Sequence, residues 1–307
     1  MLPTSLNSLV TFEAAARHKS YSLAAAELHI THSAISQQMR LLEDSLGVSL
    51  FERKGRQMQL TAQGTQLLKQ IQPALRQITR ALTQVKTEKS APAIRVATLQ
   101  SFATFWLLPR LGQFQTAHPD LAIHIQAAIG LVNLDKTKTD IAIRFGLGKW
   151  EDYDAEKLLE DQLYPVCSPD FIAGRFPASP KQLRNFRILC VENGREWQNW
   201  SQVAGIDIAS FKHETHHSDS NLMLTAAKAG QGIAVARHSL VAGEIAAGNL
   251  VRLFDVIAPS DYSYYLVTPK GLQKNAALQA FELWLKQEAK AFAKNFVALG
   301  LNGTVNE

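Results

Sequence analysis

The stretch "SLAAAELHITHSAISQQM", residues 22–39, holds a small-residue helix pattern that stops near His29, turns over a few residues and starts again. In the second helix Ile35, Met39, Leu42 and Leu46 fall at spacings of 4, 3 and 4. That period predicts one buried stripe, and Gly47 is placed to end the helix. The remaining positions, Thr31, His32, Ser33, Ser36, Gln37 and Arg40, lie near or along the opposite face, which avoids acids. Short side chains that donate or accept hydrogen bonds match what the edges of bases offer in a DNA major groove. The same residues also admit plain helix chemistry, with Ser33 as a cap and Ser36, Gln37 and Gln38 as solvated groups.

Working outward, "SLNSLVTFEAAARHK" places Leu6, Leu9, Val10, Phe12 and Ala16 at helical spacing. Ser22 reads as the N-cap of the helix that follows, and is counted among the DNA-facing residues. Downstream, "VSLFERKGRQMQLT" reads as two short strands around Lys54-Gly55-Arg56. Three helices and a hairpin over residues 1–61 make a winged helix-turn-helix. Arg53, Lys54 and Arg56 on the hairpin suit the positioning of phosphates.

Charge supports a polyanionic partner. The chain of 307 residues carries a net +5, and residues 1–90 hold 11 Lys+Arg against 6 Asp+Glu, so all of the excess lies there. Residues 62–89 follow with Leu68, Ile71, Leu75, Ile78, Leu82 and Val85 stepping by 3, 4, 3, 4 and 3. This heptad seam predicts a linker helix that pairs with a second copy, the alternative being packing on its own domain. Pro73 predicts a kink or a locally broken hydrogen bond.

"KTEKSAPA", residues 86–93, reads as a hinge, and beyond it strands alternate with helices. Residues 90–307 are expected to form an α/β regulatory domain of two subdomains, about 91–164 with 265–300 and about 165–264. No apolar run spans a membrane, and "MLPTSLNSLV" does not read as an export signal. Cys167 and Cys190 lack metal spacing and read as reduced thiols in a cytoplasmic protein.

The stretch "LNSLVTFEAAARHKSYSLAAAELHITHSAISQQMRLLEDSLGVSLFERKGRQMQLTAQG" closely resembles the N-terminal domain of LysR-type transcriptional regulators. The resemblance continues more weakly through "PVCSP", "DIAIRFG" and "AAKAGQGIAV". "FEAAARH", "THSAIS" and the "IRFG…W" segment look most like the subgroup that regulates glycine cleavage, tryptophan synthesis and β-lactamase induction. The family usually has Gln where His32 stands and often Arg where Gln37 stands. The resemblance implies a homodimer or homotetramer on an imperfect inverted repeat of double-stranded DNA. It also implies an effector domain resembling periplasmic binding proteins, and it admits RNA polymerase as a partner.

Two such subdomains leave a cleft at the carboxyl ends of their strands. "VATLQSFA" opens a helix there, with Gln100, Ser101 and Phe102, and "HSDSNLML" repeats the arrangement with Asp219 and Ser220. Arg144, in the apolar strand "DIAIRFG", needs either a buried carboxylate such as Asp219 or a carboxylate-bearing ligand. By resemblance, Asn133 and Tyr264 also line the cleft. A small amino acid or related carboxylate is the expected effector.

No HExxH, GxSxG, phosphate loop or CxxC pair is present. His216-His217 on an alternating strand face opposite ways, and the "GQG" of "AAKAGQGIAVAR" follows a helix rather than a strand. Neither enzyme activity, cofactor nor metal is expected. A two-lobed solute-binding protein and an enzyme with an appended DNA-binding domain are the competing readings.

Overall fold

The computed structural model describes residues 5–54, 57–87, 93–127, 139–151, 153–172, 177–191, 194–211 and 214–298. The chain forms two compact units, Met1–Lys89 and Ser90–Glu307.

In the first unit, α1 (Leu6–His18), α2 (Tyr21–Leu28) and α3 (His32–Leu46) precede a hairpin of β1 (Phe51–Lys54) and β2 (Gln57–Leu60), then α4 (Ala62–Thr87). Phe12, Ala15, Ala24, Ala25, Ile35, Met39 and Leu42 are all buried in one cluster, where the alanines let the three helices approach closely. The cap of α2 is Ser20, whose hydroxyl oxygen accepts the Leu23 N–H. The expected cap, Ser22, is instead an exposed residue of the first turn, because the extended backbone that a cap requires occurs at Ser20 (φ −159°). Likewise Thr31, not Ser33, caps α3 through the Ala34 N–H. The buried stripe of α3 ends at Leu42; Leu46 is 37% exposed in the last turn. Gly47 closes α3 in the left-handed region (φ 68°).

One residue, Leu50, ties the rest together. Glu43 of α3 accepts the N–H groups of Leu50 (2.6 Å) and Phe51 (3.2 Å), while the Leu50 carbonyl accepts the Thr61 N–H (3.0 Å). The Thr61 hydroxyl oxygen accepts the Gly64 N–H at the start of α4. A Cβ on Gly64 would lie 2.1 Å from the Leu50 carbonyl oxygen, so only glycine fits.

The heptad seam divides along α4. Leu67, Leu68 and Ile71 pack on the helical core of their own unit, whereas Ile78 and Leu82 are 40% and 62% exposed. The side chain of Val85 lies outside the described residues. The helix runs without a break through Pro73, which has no N–H to bond the preceding turn.

The second unit comprises β3 (Ala93–Thr98), α5 (Gln100–Phe102), α6 (Leu108–Ala117), β4 (Ala122–Ala127), β5 (Ile141–Gly146), β6 (Tyr153–Leu159) and β7 (Gln162–Cys167). It continues with α7 (Pro169–Ile172), β8 (Ile188–Val191), α8 (Arg195–Ala204), β9 (Glu214–His217), α9 (Ser220–Lys228) and β10 (Ile233–Arg237). The last elements are α10 (His238–Ala246), β11 (Val251–Arg252), β12 (Ala258–Pro259), β13 (Ser263–Pro269) and α11 (Ala276–Ala298). One sheet has the order β4-β3-β5-β13-β6 and the other β11-β7-β10-β8-β9, with β12 also on β7. In the first, β3 is parallel to β4 and β5; in the second, β8 is parallel to β9 and β10. The chain crosses between sheets through residues 160–161 and again through residues 260–262. Tyr164, placed with the first subdomain from sequence, belongs to a strand of the second sheet.

Candidate DNA-binding surface and effector cleft

On α3, Thr31, His32, Ser33, Gln37 and Arg40 are exposed, and Ser36 is half-buried with its hydroxyl donating to the His32 carbonyl (3.1 Å). Gln38 differs from its neighbour, because its Oε1 accepts the Thr11 hydroxyl (2.5 Å) and ties α3 to α1. Gln37 thus keeps an outward amide. A concavity beside the hairpin gathers Ser22, His32 and Arg53, with Lys19, Tyr21 and Gln59 also on its wall. Tyr21 packs its ring edge-on against Phe51 (5.6 Å), which fixes the hairpin's base against α2. Lys54 is exposed on β1. Arg56 lies outside the described residues. Lys19 and Tyr21 were not singled out from sequence; nothing in their spacing marks them, since only the approach of hairpin to α2 brings them to this wall.

In the second unit a cavity of about 250 Å³ opens where β3, β5, β8, β9 and β10 reach their carboxyl ends. That is where ligands bind in open α/β sheets. Gln100 and Ser101 line it from α5, Asp219 and Ser220 from the start of α9, and Arg195, Glu196 and Asn199 from α8. Asp219 caps α9, its Oδ1 accepting from the Asn221 (2.7 Å) and Leu222 (3.0 Å) N–H groups.

The buried cation on this wall is Arg237, the last residue of β10 and 5% exposed. Its Nη1 donates to the Tyr264 hydroxyl (2.9 Å) and its Nη2 to the Ser220 hydroxyl (2.7 Å). Its guanidinium carbon sits 4.2 Å from the centre of the Phe145 ring. Burial opposes the charge, and Tyr264, Glu196 and Asp161 outweigh it, so the group stays a cation.

Arg144 is the correction. It is buried, but side chains alternate along β5, and it is Phe145 that reaches the cleft. Arg144 points to the opposite face, near Tyr153, and is not among the residues that line the cavity. The sequence held the right signal in the wrong place: "GIAVAR" ends in an arginine after an apolar run just as "DIAIRFG" contains one. Phe102 and Tyr264 are also not on the cavity wall. Both are 0% exposed, with rings 4.4 Å apart, and Tyr264 acts from behind through its hydrogen bond with Arg237. Asn133 lies outside the described residues.

Beneath the cleft, Asp161 on the first crossover accepts both the N–H (3.1 Å) and the hydroxyl of Ser239 in α10. Burial pushes its carboxyl up to about 6, against the bonds from Ser239 and the charge of Arg237. Next to it, His238 is pushed down to about 4 by burial and by Arg252. A neutral imidazole is consistent with the Tyr164 hydroxyl lying 2.6 Å from its Nδ1. Burial pushes the Cys167 and Cys190 thiols up to about 12, the mark of inert structural cysteines. Among the described residues no group of three or more His, Cys, Asp or Glu could hold a metal ion, and no helix is long and apolar enough to cross a membrane.

Residues 6–65 match the model of the lysR family of bacterial regulatory helix-turn-helix proteins, and residues 87–290 match the LysR substrate binding domain. The chain belongs to the LysR family. As a LysR-type protein it is a DNA-binding transcriptional regulator with a separate effector-binding domain. It is similar to the glycine cleavage system transcriptional activator of Escherichia coli K12, 35% identical over 292 residues that cover 95% of this chain and 96% of the relative. The structure of the effector domain of the transcriptional regulator AmpR of Pseudomonas aeruginosa superposes with a TM-score of 0.60 at 29% identity, covering 67% of this chain and 99% of that one. CrgA of Neisseria meningitidis, a LysR-type regulator, matches with a TM-score of 0.53 at 23% identity over 94% of this chain and 99% of its own, a likeness of fold alone.

Proposed function

We propose that this LysR-type regulator binds an imperfect inverted repeat as a homodimer or homotetramer in the cytoplasm, without catalysing a reaction. Ser36 and Gln37 of α3 read base edges, and Arg53 with Lys54 on the hairpin positions phosphates. The exposed Ile78 and Leu82 of α4 support pairing with a second copy, since large apolar side chains in series are seldom left to water. A small carboxylate-bearing molecule, an amino acid or a relative of one, occupies the cleft and changes how the oligomer sits on DNA. RNA polymerase is then the receiver of that change.

The observation that carries the effector reading is Arg237, a buried cation on the cleft wall. A guanidinium has five donors, and two are engaged by Tyr264 and Ser220. The others suit a carboxylate, which a guanidinium binds with charge-assisted hydrogen bonds. A ligand can move the regulator only through a difference in affinity for two arrangements of the domain, expected on the order of 1–3 kcal/mol. The test is a mobility shift of the full chain on the DNA adjoining its own gene, at several salt concentrations, with and without small carboxylates. Binding that weakens steeply with salt and shifts with one of the carboxylates supports the reading. Indifference to every carboxylate, in this assay and in calorimetry, refutes the effector part.

A further inference from the structure

The cleft holds a second charged group with capacity to spare. Glu196 sits on α8 with its side chain 15% exposed, its Oε1 4.0 Å from Arg237 Nε. Its Oε2 is buried and has no hydrogen-bond partner among the described residues. A buried carboxylate oxygen left without a donor costs free energy unless something else donates to it. The other acid of the wall, Asp219, is already occupied: one oxygen caps α9 and the other takes the Ser218 hydroxyl.

Nor can Glu196 turn away. Trp197 and Trp200, on the adjoining face of α8, are buried, and their indole N–H groups donate to the carbonyls of Leu189 (2.8 Å) and Val256 (2.9 Å). That locks the rotation of the helix and holds Glu196 toward the cavity. The charged side chains on the wall are Arg195, Arg237, Glu196 and Asp219, two of each sign. A simple carboxylate would add an uncompensated negative charge beside Glu196. A ligand carrying one charge of each sign leaves the balance untouched.

We infer that the cleft takes a small zwitterion, an α-amino acid, whose ammonium donates to Glu196 while its carboxylate meets Arg237 and the serine hydroxyls. This rests on the reading of the cleft as a carboxylate site and assigns Glu196 as the residue that selects among carboxylates. The cavity, about 250 Å³, fits a ligand of this size.

Calorimetry of the full chain with small L-amino acids, up to leucine in size, and the matching 2-hydroxy acids separates the two claims. Each pair shares its carboxylate and side chain and differs only in ammonium against hydroxyl. One amino acid is expected to bind roughly ten- to hundred-fold more tightly than its hydroxy counterpart, the range for a hydrogen bond to a charged group. Glu196→Gln should bring that ratio close to one, chiefly by weakening the amino acid. Equal affinity within every pair overturns the zwitterion while leaving the carboxylate site standing. A ratio that survives Glu196→Gln overturns the assignment of Glu196. If neither member of any pair binds, the carboxylate reading fails and the zwitterion with it. Should the variant not fold, the unmodified protein still decides through its pairs.

Discussion

Asp161→Asn isolates one ionisation under the effector cleft. The carboxyl has an ordinary value of 3.8 and is pushed up to about 6 in the folded protein, because burial outweighs the Ser239 hydrogen bonds and the charge of Arg237. The folded state therefore holds this proton more tightly than the unfolded chain. Its contribution is fully present below pH 3.8 and is lost as pH rises through about 6. The whole displacement corresponds to about 3 kcal/mol. Between pH 8 and pH 5 the part gained is on the order of 1 kcal/mol. Asparagine keeps the shape and can still accept the Ser239 N–H, but does not titrate. The stability of the parent relative to the variant should thus rise by on the order of 1 kcal/mol on going from pH 8 to pH 5. His238, pushed down to about 4, disfavours the fold as pH falls, but it does so in both proteins and cancels from the difference. Urea unfolding followed by tryptophan emission reads the right unit, because all 5 tryptophans lie beyond residue 90. Identical pH dependence in parent and variant would refute the reasoning.

Other expected outcomes follow from the first unit. Replacing Ile78 and Leu82 together by Asp should leave each copy folded but monomeric by light scattering, with much weaker operator binding, because two half-sites lose their linkage; unchanged affinity removes α4 from the interface. Arg53→Ala should weaken specific and random DNA alike and lower the salt slope by about one unit. Gln37→Ala should instead lower the operator-to-random ratio by roughly 1–3 kcal/mol, and equal losses on both DNAs would deny it a base contact. Gly64→Ala should destabilise the first unit by about 1–3 kcal/mol, since the new methyl meets a carbonyl rather than a side chain that can move; thermal melts of the full chain measure it.

The first unit was largely legible in the sequence because its signals are local. Periodicity gave α3, glycine its end, and Lys54-Gly55-Arg56 the hairpin. The helix caps were missed by two residues in both cases, since a serine or threonine is available at either position and only the backbone angle chooses. The seam of α4 was read as one surface; its first half is claimed by the core of its own unit, which depends on where α1 and α3 stand. In the second unit β6, "YDAEKLL", escaped notice because it is an edge strand with mostly exposed side chains. Arg144 and Arg237 were indistinguishable by composition. Which of two strand arginines faces a cleft depends on the parity of the pleat relative to a sheet that the sequence does not display. Glu196 was invisible for a further reason, as the helix carrying it was not recognised until Trp197 and Trp200 were seen to anchor it.

The anchoring of Leu50 has a mechanical consequence. Its N–H is held by α3 through Glu43, its carbonyl by Thr61 just ahead of α4, and its own chain runs on into the hairpin. Three elements thus share one rigid joint, packed so tightly at Gly64 that not even a methyl group can be inserted. Such a joint has no slack in which to absorb a twist. A twist of α4 is therefore expected to carry α3 with it, so the linker works as the shaft of a tool and α3 as its fixed bit.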